Sequence, residues 1–479
     1  MHLTSKEHTP FLYFIIAVAI IRLLVAPHLG LGADEAHYLL YALHLDWSYF
    51  DHPPLVGWVQ YLFTSLFGIN EFGARVSAIA IGFFTSIFLY KLLYQIENNA
   101  KLAFVGILAF HAMFLFNALF FMLMPDTLLF LLIIPIIFSV IALEKEPTLL
   151  HWISLGLLLG LAGLSKYTAI LFIPPIIFYF LIKKRYELFY HPHLLLTILV
   201  ALIIVAPVFY WNIENDWISF TYQSNHVVGD AHINLKGFGA SLSAQLIAYN
   251  PLLSLTAFYG LYRAYKSKNN LLLLSALFGT VLFIFFTYSA LYKMALPHWS
   301  ALFYLIFVPL GVYFLYEKSA KWKKYLQYAI GFGIILSSLI YLEVATKIIP
   351  LPDENSVQLD IYGFEKIMKE ANAEIKNPKK EAIGVTLWTL ASRAMVYNEK
   401  YNSEVFLLDN RYDQFDIWQK SSPLGKDIVV IDINFAHKDI NKYLKCDRVT
   451  KLKSFHLLDD ADKPDTISLI KCSNYQGVR

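Results

Sequence analysis

The stretch Gly32–Trp58, GADEAHYLLYALHLDWSYFDHPPLVGW, follows a greasy segment and sets two carboxylates, Asp34 and Glu35, side by side. One loop later come Asp51, His52, Pro53 and Pro54, flanked by Trp and Tyr rings. Charged groups are scarce in this chain. Of its 479 residues 16% are Asp, Glu, Lys or Arg, while 57% are hydrophobic and 16% aromatic. A soluble domain carries about a quarter charged residues, so this composition points to a membrane protein, with aromatics enough for two headgroup belts. The net charge of +3 is too small to suggest a nucleic-acid partner. The stretch therefore asks what its charges do in a chain built for a bilayer.

Apolar runs recur at 11–27, 74–94, 102–120, 127–143, 150–164, 168–182, 194–211, 246–264, 271–290, 299–316 and 325–345. Each approaches the roughly 20 residues that cross the hydrocarbon, which predicts about eleven transmembrane helices. The run Phe11–Pro27 lacks a small-residue cleavage site and reads as a retained anchor, not a signal peptide. Lys and Arg gather in alternate breaks: KLLYQIENNAK, EKEP, KKRYE, RAYKSKNN and EKSAKWKK. The first long loop, 28–73, holds neither. The positive-inside rule then places the N-terminus in the cytoplasm, and an odd number of spans places the tail outside.

The first loop is not simply polar. Ala36, Leu39, Leu40 and Leu43 fall at helical spacing, and LVGWVQYLFTSLFG after Pro54 does the same. This predicts two amphipathic helices lying in the outer interface, with Trp47, Tyr49, Phe50, Trp58 and Tyr61 at headgroup depth. In the tail, short β-branched runs (EAIGVTLW, SEVFLLD, DIVVIDINF) alternate with helical TLASRAMVYNEK and AHKDINKYLK. That pattern predicts a small α/β domain. No glycine-rich fingerprint opens any of its helices, which argues against nucleotide binding. The domain division is thus 1–345, a transmembrane domain with a long first outer loop (28–73), and 346–479, a periplasmic α/β domain.

Both cysteines, Cys446 and Cys472, lie in this tail, and their spacing fits no zinc motif. A tail outside the membrane predicts a disulfide between them; two buried free thiols are the plainer alternative.

Charges at the bilayer edge need a reason. On the predicted outer face stand Asp34, Glu35, Asp51 and His52, then Arg75, Asp126, Lys166, Lys293 and His298. Singly, each has a plain structural reading. Asp34 and Asp126 suit helix N-termini, and Lys166 suits a lysine snorkelling from a turn. His52 is held in direction by the proline after it. Arg75 is less ordinary, because it lies on the side depleted of cations. Together, a carboxylate pair and several cations on one membrane face suit a site that holds an anionic lipid phosphate and abstracts a proton.

The segment DEAHYLLYALHLDWSYFDHPPLVGWVQYLFTSLFGINEFGARVSA resembles the first periplasmic loop of the lipid-dependent, type-C glycosyltransferases. The nearest groups are the protein O-mannosyltransferase-like family and the lipid A aminoarabinose transferases. The shared features are Asp34-Glu35, Asp51-His52-Pro53 and Glu71-Phe72-Gly73-Ala74-Arg75. PDT at 125–127, GLAGLSKYTA at 160–169 and LPHW at 296–299 follow in the same order. The resemblance covers about residues 10–345; the tail resembles only the variable periplasmic domains of that family. One departure is His52, where aminoarabinose transferases tend to have Lys.

The resemblance implies a polytopic α-helical membrane enzyme of the bacterial inner membrane. It would move a sugar from a polyprenyl-phosphate donor to an acceptor hydroxyl, with inversion. Lipid A, another envelope glycan and a protein all stand as acceptors. Asp34, in a catalytic pair with Glu35, would be the general base. His52, Arg75, Lys166 and Lys293 would hold the donor phosphate as its charge grows. Asp51, Asp126 and His298 would orient these groups or the sugar. No cofactor is certain: the carboxylates suit a divalent metal, while the cations would supply the same charge without one. The competing class is a transporter or flippase for a lipid-linked sugar. Such proteins usually show paired similar halves, and none is visible here.

Overall fold

A computed structural model describes residues 5–228, 232–346, 363–433, 438–457 and 466–479. The chain divides into two compact units. One comprises Met1–Leu24, Asp46–Val56 and Arg75–Ile340; the other comprises Val25–Leu45, Gly57–Ala74 and Tyr341–Arg479. The expected division at 345/346 therefore differs from the observed one, because two pieces of the first loop fold with the C-terminal unit.

The first unit is a bundle. Across the described residues of the chain, seven helices are long and apolar enough to span a bilayer: Lys6–His28, Glu71–Glu97, Pro125–Lys145, His193–Glu214, Asn270–Tyr292, Pro297–Tyr316 and Ala320–Glu343. Three more expected spans are shorter helical segments, Ala100–His111, Leu149–Ser165 and Tyr167–Ile182. The fold is that of a polytopic α-helical membrane protein.

Two expected spans break. The run 102–120 divides into helices Ala100–His111 and Phe114–Leu119. The run 246–264 divides into the end of Leu235–Tyr249 and Thr256–Lys266. The breaks support each other: buried Asn250 donates its side-chain amide to Ala112 O at 3.1 Å and to Ala329 O at 3.3 Å. Irregular backbone among apolar helices is tolerated where protein groups satisfy it. Hydropathy alone averages across such a break.

Helix Ala301–Tyr316 is buried along nearly its whole length. Helix Thr256–Lys266 approaches it backbone to backbone. A Cβ at Gly311 would lie 1.9 Å from Thr256 O, and one at Gly260 would lie 2.5 Å from Phe307 O. Among apolar helices close packing of this kind replaces the hydrophobic drive of a soluble core.

The second unit is built on strands β1 (Glu381–Val385), β2 (Val405–Leu407), β3 (Asp427–Ile433), β4 (Leu444–Lys445), β5 (Arg448–His456), β6 (Thr466–Ser473) and β7 (Gly477–Val478). Five form a mixed sheet of order β2-β1-β3-β6-β5, and β4 pairs with β7. β1 is parallel to β2 and β3, whereas β6 is antiparallel to β3 and β5. The two-residue period of a strand divides β3 between two cores. Val429, Ile431 and Ile433 face one, Ile428 and Val430 the other. The segment expected as one helix before Cys446 is instead the short helix Ile440–Tyr443 followed by β4; 434–437 lie outside the described residues. Cys446 and Cys472 are joined as a disulfide, with Cα atoms 5.5 Å apart.

Helix Ala33–Leu43 corrects the expectation of an interfacial first loop. Its apolar residues Ala36, Leu39 and Leu40 are fully buried in the core that includes Ile383, Leu390 and Val429. An apolar stripe shows that a helix must be covered; it does not say by what. The second loop helix, Leu55–Phe67, does keep Leu62, Leu66 and Phe67 exposed. Of the rings expected at headgroup depth, Trp47 and Tyr61 are exposed, Trp58 is half-buried, and Tyr49 and Phe50 are buried.

Candidate functional site

Within the bundle unit the motifs PDT, LSKY, LPHW and DHPP come together through named contacts. Pro125 opens helix Pro125–Lys145, where its missing N–H is no loss. Thr127 ties that start down: its hydroxyl donates to Leu119 O at 2.9 Å and accepts from Met124 N at 3.2 Å. Ser165, the last residue of helix Leu149–Ser165, donates to Pro125 O at 2.7 Å. The next residue, Lys166, is extended and leaves the helix. Its ammonium donates to both carboxylate oxygens of Asp126, at 2.8 and 2.7 Å. Asp126 is buried and Lys166 nearly so, with side-chain exposures of 8% and 12%. At that depth a lone charge of either sign would be expensive.

His298 follows Pro297 in a short turn and is half-buried. It lies in electrostatic range of Asp126, Lys166 and His52. Tyr249 supports this turn by donating its hydroxyl to Pro297 O at 2.7 Å. Its fully buried ring stacks on Tyr304 with centroids 4.1 Å apart.

His52 Nδ1 stands 3.1 Å from Asp51 Oδ2. Their loop is pinned from several sides. Tyr49 N donates to His52 O at 3.1 Å. Ser219 donates to Tyr49 O at 2.8 Å, and Gln223 donates to Asp51 O. Ser48 and Tyr167 share a hydrogen bond of 3.3 Å. Tyr167 is the residue after Lys166, so this contact sets the Asp51–His52 turn beside the Lys166–Asp126 pair.

Arg75 is buried, with its guanidinium 4.7 Å from the centroid of the Phe121 ring. Lys293 caps helix Asn270–Tyr292 and is half-buried. Asp34 and Glu35 belong to the other unit. There Asp34 is exposed in the first turn of helix Ala33–Leu43, while Glu35 is buried and accepts from Gly32 N at 3.2 Å. Glu71 of the matched segment accepts from Tyr397 at 2.7 Å, and the Tyr397 hydroxyl accepts from Leu31 N. Burial and the Glu71 carboxylate push the Tyr397 phenol up, which keeps it a donor.

Tyr167, Tyr249, Ser165 and Tyr397 are the supporting residues that sequence reading passed over. Tyr167 and Ser165 flank a residue already singled out, so adjacency was an available signal. Tyr249 and Tyr397 carry none, since Tyr is abundant in this chain. Among the described residues no three His, Cys, Asp or Glu side chains gather as a metal site.

Chemically the bundle unit offers a desolvated ammonium held by a carboxylate, with two imidazoles in range. Such a group can donate charge-assisted hydrogen bonds to a phosphate oxygen. Residues 51–211 match the family described as dolichyl-phosphate-mannose-protein mannosyltransferase. A lipid A galacturonosyltransferase, RgtD, of Rhizobium johnstonii is 23% identical over 357 residues, 71% of this chain and 72% of that protein. The crystal structure of ArnT from Cupriavidus metallidurans bound to undecaprenyl phosphate superposes with a TM-score of 0.67 at 14% identity, covering 96% of this chain and 98% of that one. Its apo form gives a TM-score of 0.66 over the same shares.

Proposed function

We propose that the chain is a type-C glycosyltransferase that moves a sugar from a polyprenyl-phosphate donor to an acceptor hydroxyl at the outer face of the bacterial inner membrane, a reading supported by its fold, which is similar to that of the ArnT structures. The observation that carries this reading is the Lys166–Asp126 pair with His298 and His52 in electrostatic range. A lipid phosphate leaving group needs positive charge at a fixed place in a water-poor setting. The ArnT structure described as bound to undecaprenyl phosphate supports the donor class. The name of the galacturonosyltransferase supports a lipid A-like acceptor.

In this reaction the acceptor oxygen attacks the anomeric carbon and its proton passes to Asp34. The bond from that carbon to the phosphate oxygen breaks, and configuration inverts. Lys166, Arg75, His52 and Lys293 stabilise the charge that grows on the departing phosphate. Asp126 fixes the direction of Lys166, and Asp51 and His298 orient the surrounding cations. Glu35, turned inward onto Gly32 N, holds the first turn from which Asp34 projects.

Native mass spectrometry of the purified protein should find a co-purified polyprenyl phosphate. Supplying that lipid loaded with candidate sugars, together with lipid A in proteoliposomes, should give sugar-bearing lipid A. Transfer to protein hydroxyls with none to lipid A would replace the acceptor. Transbilayer movement of the lipid-linked sugar without any transfer would replace the reaction.

A further inference from the structure

Two cations in the bundle unit share one aromatic ring. The Arg263 guanidinium is 5.9 Å and the Lys318 ammonium 5.0 Å from the centroid of Tyr259. Arg263 also lies 4.5 Å over Phe314. Lys266 stands in the same last helical turn as Arg263. Lys321, Lys323 and Lys324 open helix Ala320–Thr346, two residues beyond Lys318. All of these except half-buried Arg263 are exposed.

None of the six makes an ion pair among the described residues. Glu317, the carboxylate in the connecting turn, makes none either. The contrast with other loop cations is plain: Lys183 approaches Glu144, and Arg185 pairs with Glu187. No acidic residue occupies the first turn of helix Ala320–Thr346. Lysines there face the positive end of the helix dipole, which raises their energy further. Six like charges from two helices and a turn thus gather with no carboxylate paired to them among the described residues; Arg263 donates to the Tyr259 hydroxyl at 3.3 Å, and Lys318, Lys323 and Lys324 lie over the rings of Tyr259, Tyr316 and Tyr328. Exposed Tyr262, Tyr265, Trp322, Tyr325 and Tyr328 border them, the residue types that settle at headgroup level.

We propose that this surface, from the end of helix Thr256–Lys266 to the start of helix Ala320–Thr346, binds the headgroups of anionic phospholipids. Their phosphates supply the missing counter-charges, and the bordering rings set the depth. Juxtamembrane clusters of this size attract anionic lipid through summed, salt-sensitive Coulomb terms. The inference is independent of the transfer reaction.

The test titrates the full-length protein in neutral detergent with phosphatidylglycerol and with phosphatidylcholine, read by native mass spectrometry. Wild type should bind phosphatidylglycerol in preference, and salt should erode the preference. The variant R263Q/K318Q/K323Q/K324Q should lose at least about tenfold in phosphatidylglycerol affinity with phosphatidylcholine unchanged. The milder K323Q/K324Q, at two exposed positions, should lose about threefold and guards against misfolding of the larger variant. A control, K442Q/K445Q/K451Q in the sheet unit, should leave the preference intact. Equal loss in the control, or full preference retained in K323Q/K324Q, overturns the proposal. So does displacement of phosphatidylglycerol by millimolar inorganic phosphate, which would mark a site for the free ion.

Discussion

Lys166 donates to both carboxylate oxygens of Asp126, at 2.8 and 2.7 Å, and Ser165 fixes the register by donating to Pro125 O. Removing one partner leaves a buried charge uncompensated, which costs about 3–5 kcal/mol. Asp126→Ala should therefore lower the melting temperature sharply. The double variant Asp126→Ala/Lys166→Ala should recover much of that loss, since no lone charge remains. If Lys166 holds the donor phosphate, the double variant should still fail to bind polyprenyl phosphate. Stability and lipid binding returning together would reduce the pair to a structural clamp.

Arg75 should act on the same ligand. Arg75→Ala should weaken binding of polyprenyl phosphate itself, by about tenfold or more, and not only of the sugar-loaded donor. Its contact with Phe121 makes Arg75→Met the better control, because Met keeps apolar bulk near the ring while removing the charge. Unchanged affinity for the sugar-free lipid in both variants would take Arg75 out of the phosphate site.

Asp34 and Glu35 should separate in their effects. Asp34 is exposed, and Glu35 is bonded inward to Gly32 N. Asp34→Asn keeps size and hydrogen bonding but removes basicity. It should lower turnover at least about a hundredfold with donor binding largely kept. Glu35→Gln should mainly destabilise the helix start, by about 0.5–2 kcal/mol. Near-normal turnover in Asp34→Asn would exclude it as the base.

The disulfide joins Cys446 to Cys472 across a sequence separation of 26. Closing a loop of that size stabilises by about 3 kcal/mol in the chain-entropy account. Cys446→Ser/Cys472→Ser should lower the melting temperature of the sheet unit. Labelling the unfolded, unreduced wild type should find no reactive thiol; two per chain would show that the bond does not form.

Asp413 sets a pH dependence in the same unit. Burial first, with Asp409 and Asp416 adding, pushes its carboxyl up from 3.8 to about 6. The folded chain then holds a proton that the unfolded chain has released. Stability contributed by the protonated group is therefore lost as pH rises from about 4 through 6, by at most about 3 kcal/mol. Asp413→Asn keeps an acceptor for Phe415 N, now at 2.9 Å from Oδ1. Hydrogen exchange of β3 against pH should show the slope in wild type and none in the variant. The same slope in both would assign it to other groups.

Much of this protein was legible because membrane residence is written in composition and run length. Helix-length apolar segments and a cation-free first loop need no partner to be recognised. The scarce outer-face charges pointed to a candidate site for the same reason, since charges are costly in an apolar chain and few are carried without use. The β-branched run DIVVIDI predicted a strand, and β3 is one.

The sequence by itself thus determined a polytopic helical chain with a small α/β tail, and the charges worth watching. Only the tertiary structure decided what covers each apolar face and which charges meet. Helix Ala33–Leu43 shows the first: its stripe fits lipid or protein equally, and Leu390 and Val429 beside Leu39 and Leu40 decided for protein. Asn250 reaching Ala112 shows the same for the broken spans, for its two ends are 138 residues apart. Asp126 and Lys166 show the second, 40 residues apart in sequence and in contact only once their helices pack. Local periodicity records what a segment needs to bury; the identity of its partner is a long-range property of the folded chain, because only packing chooses among faces that hydrophobicity leaves equivalent.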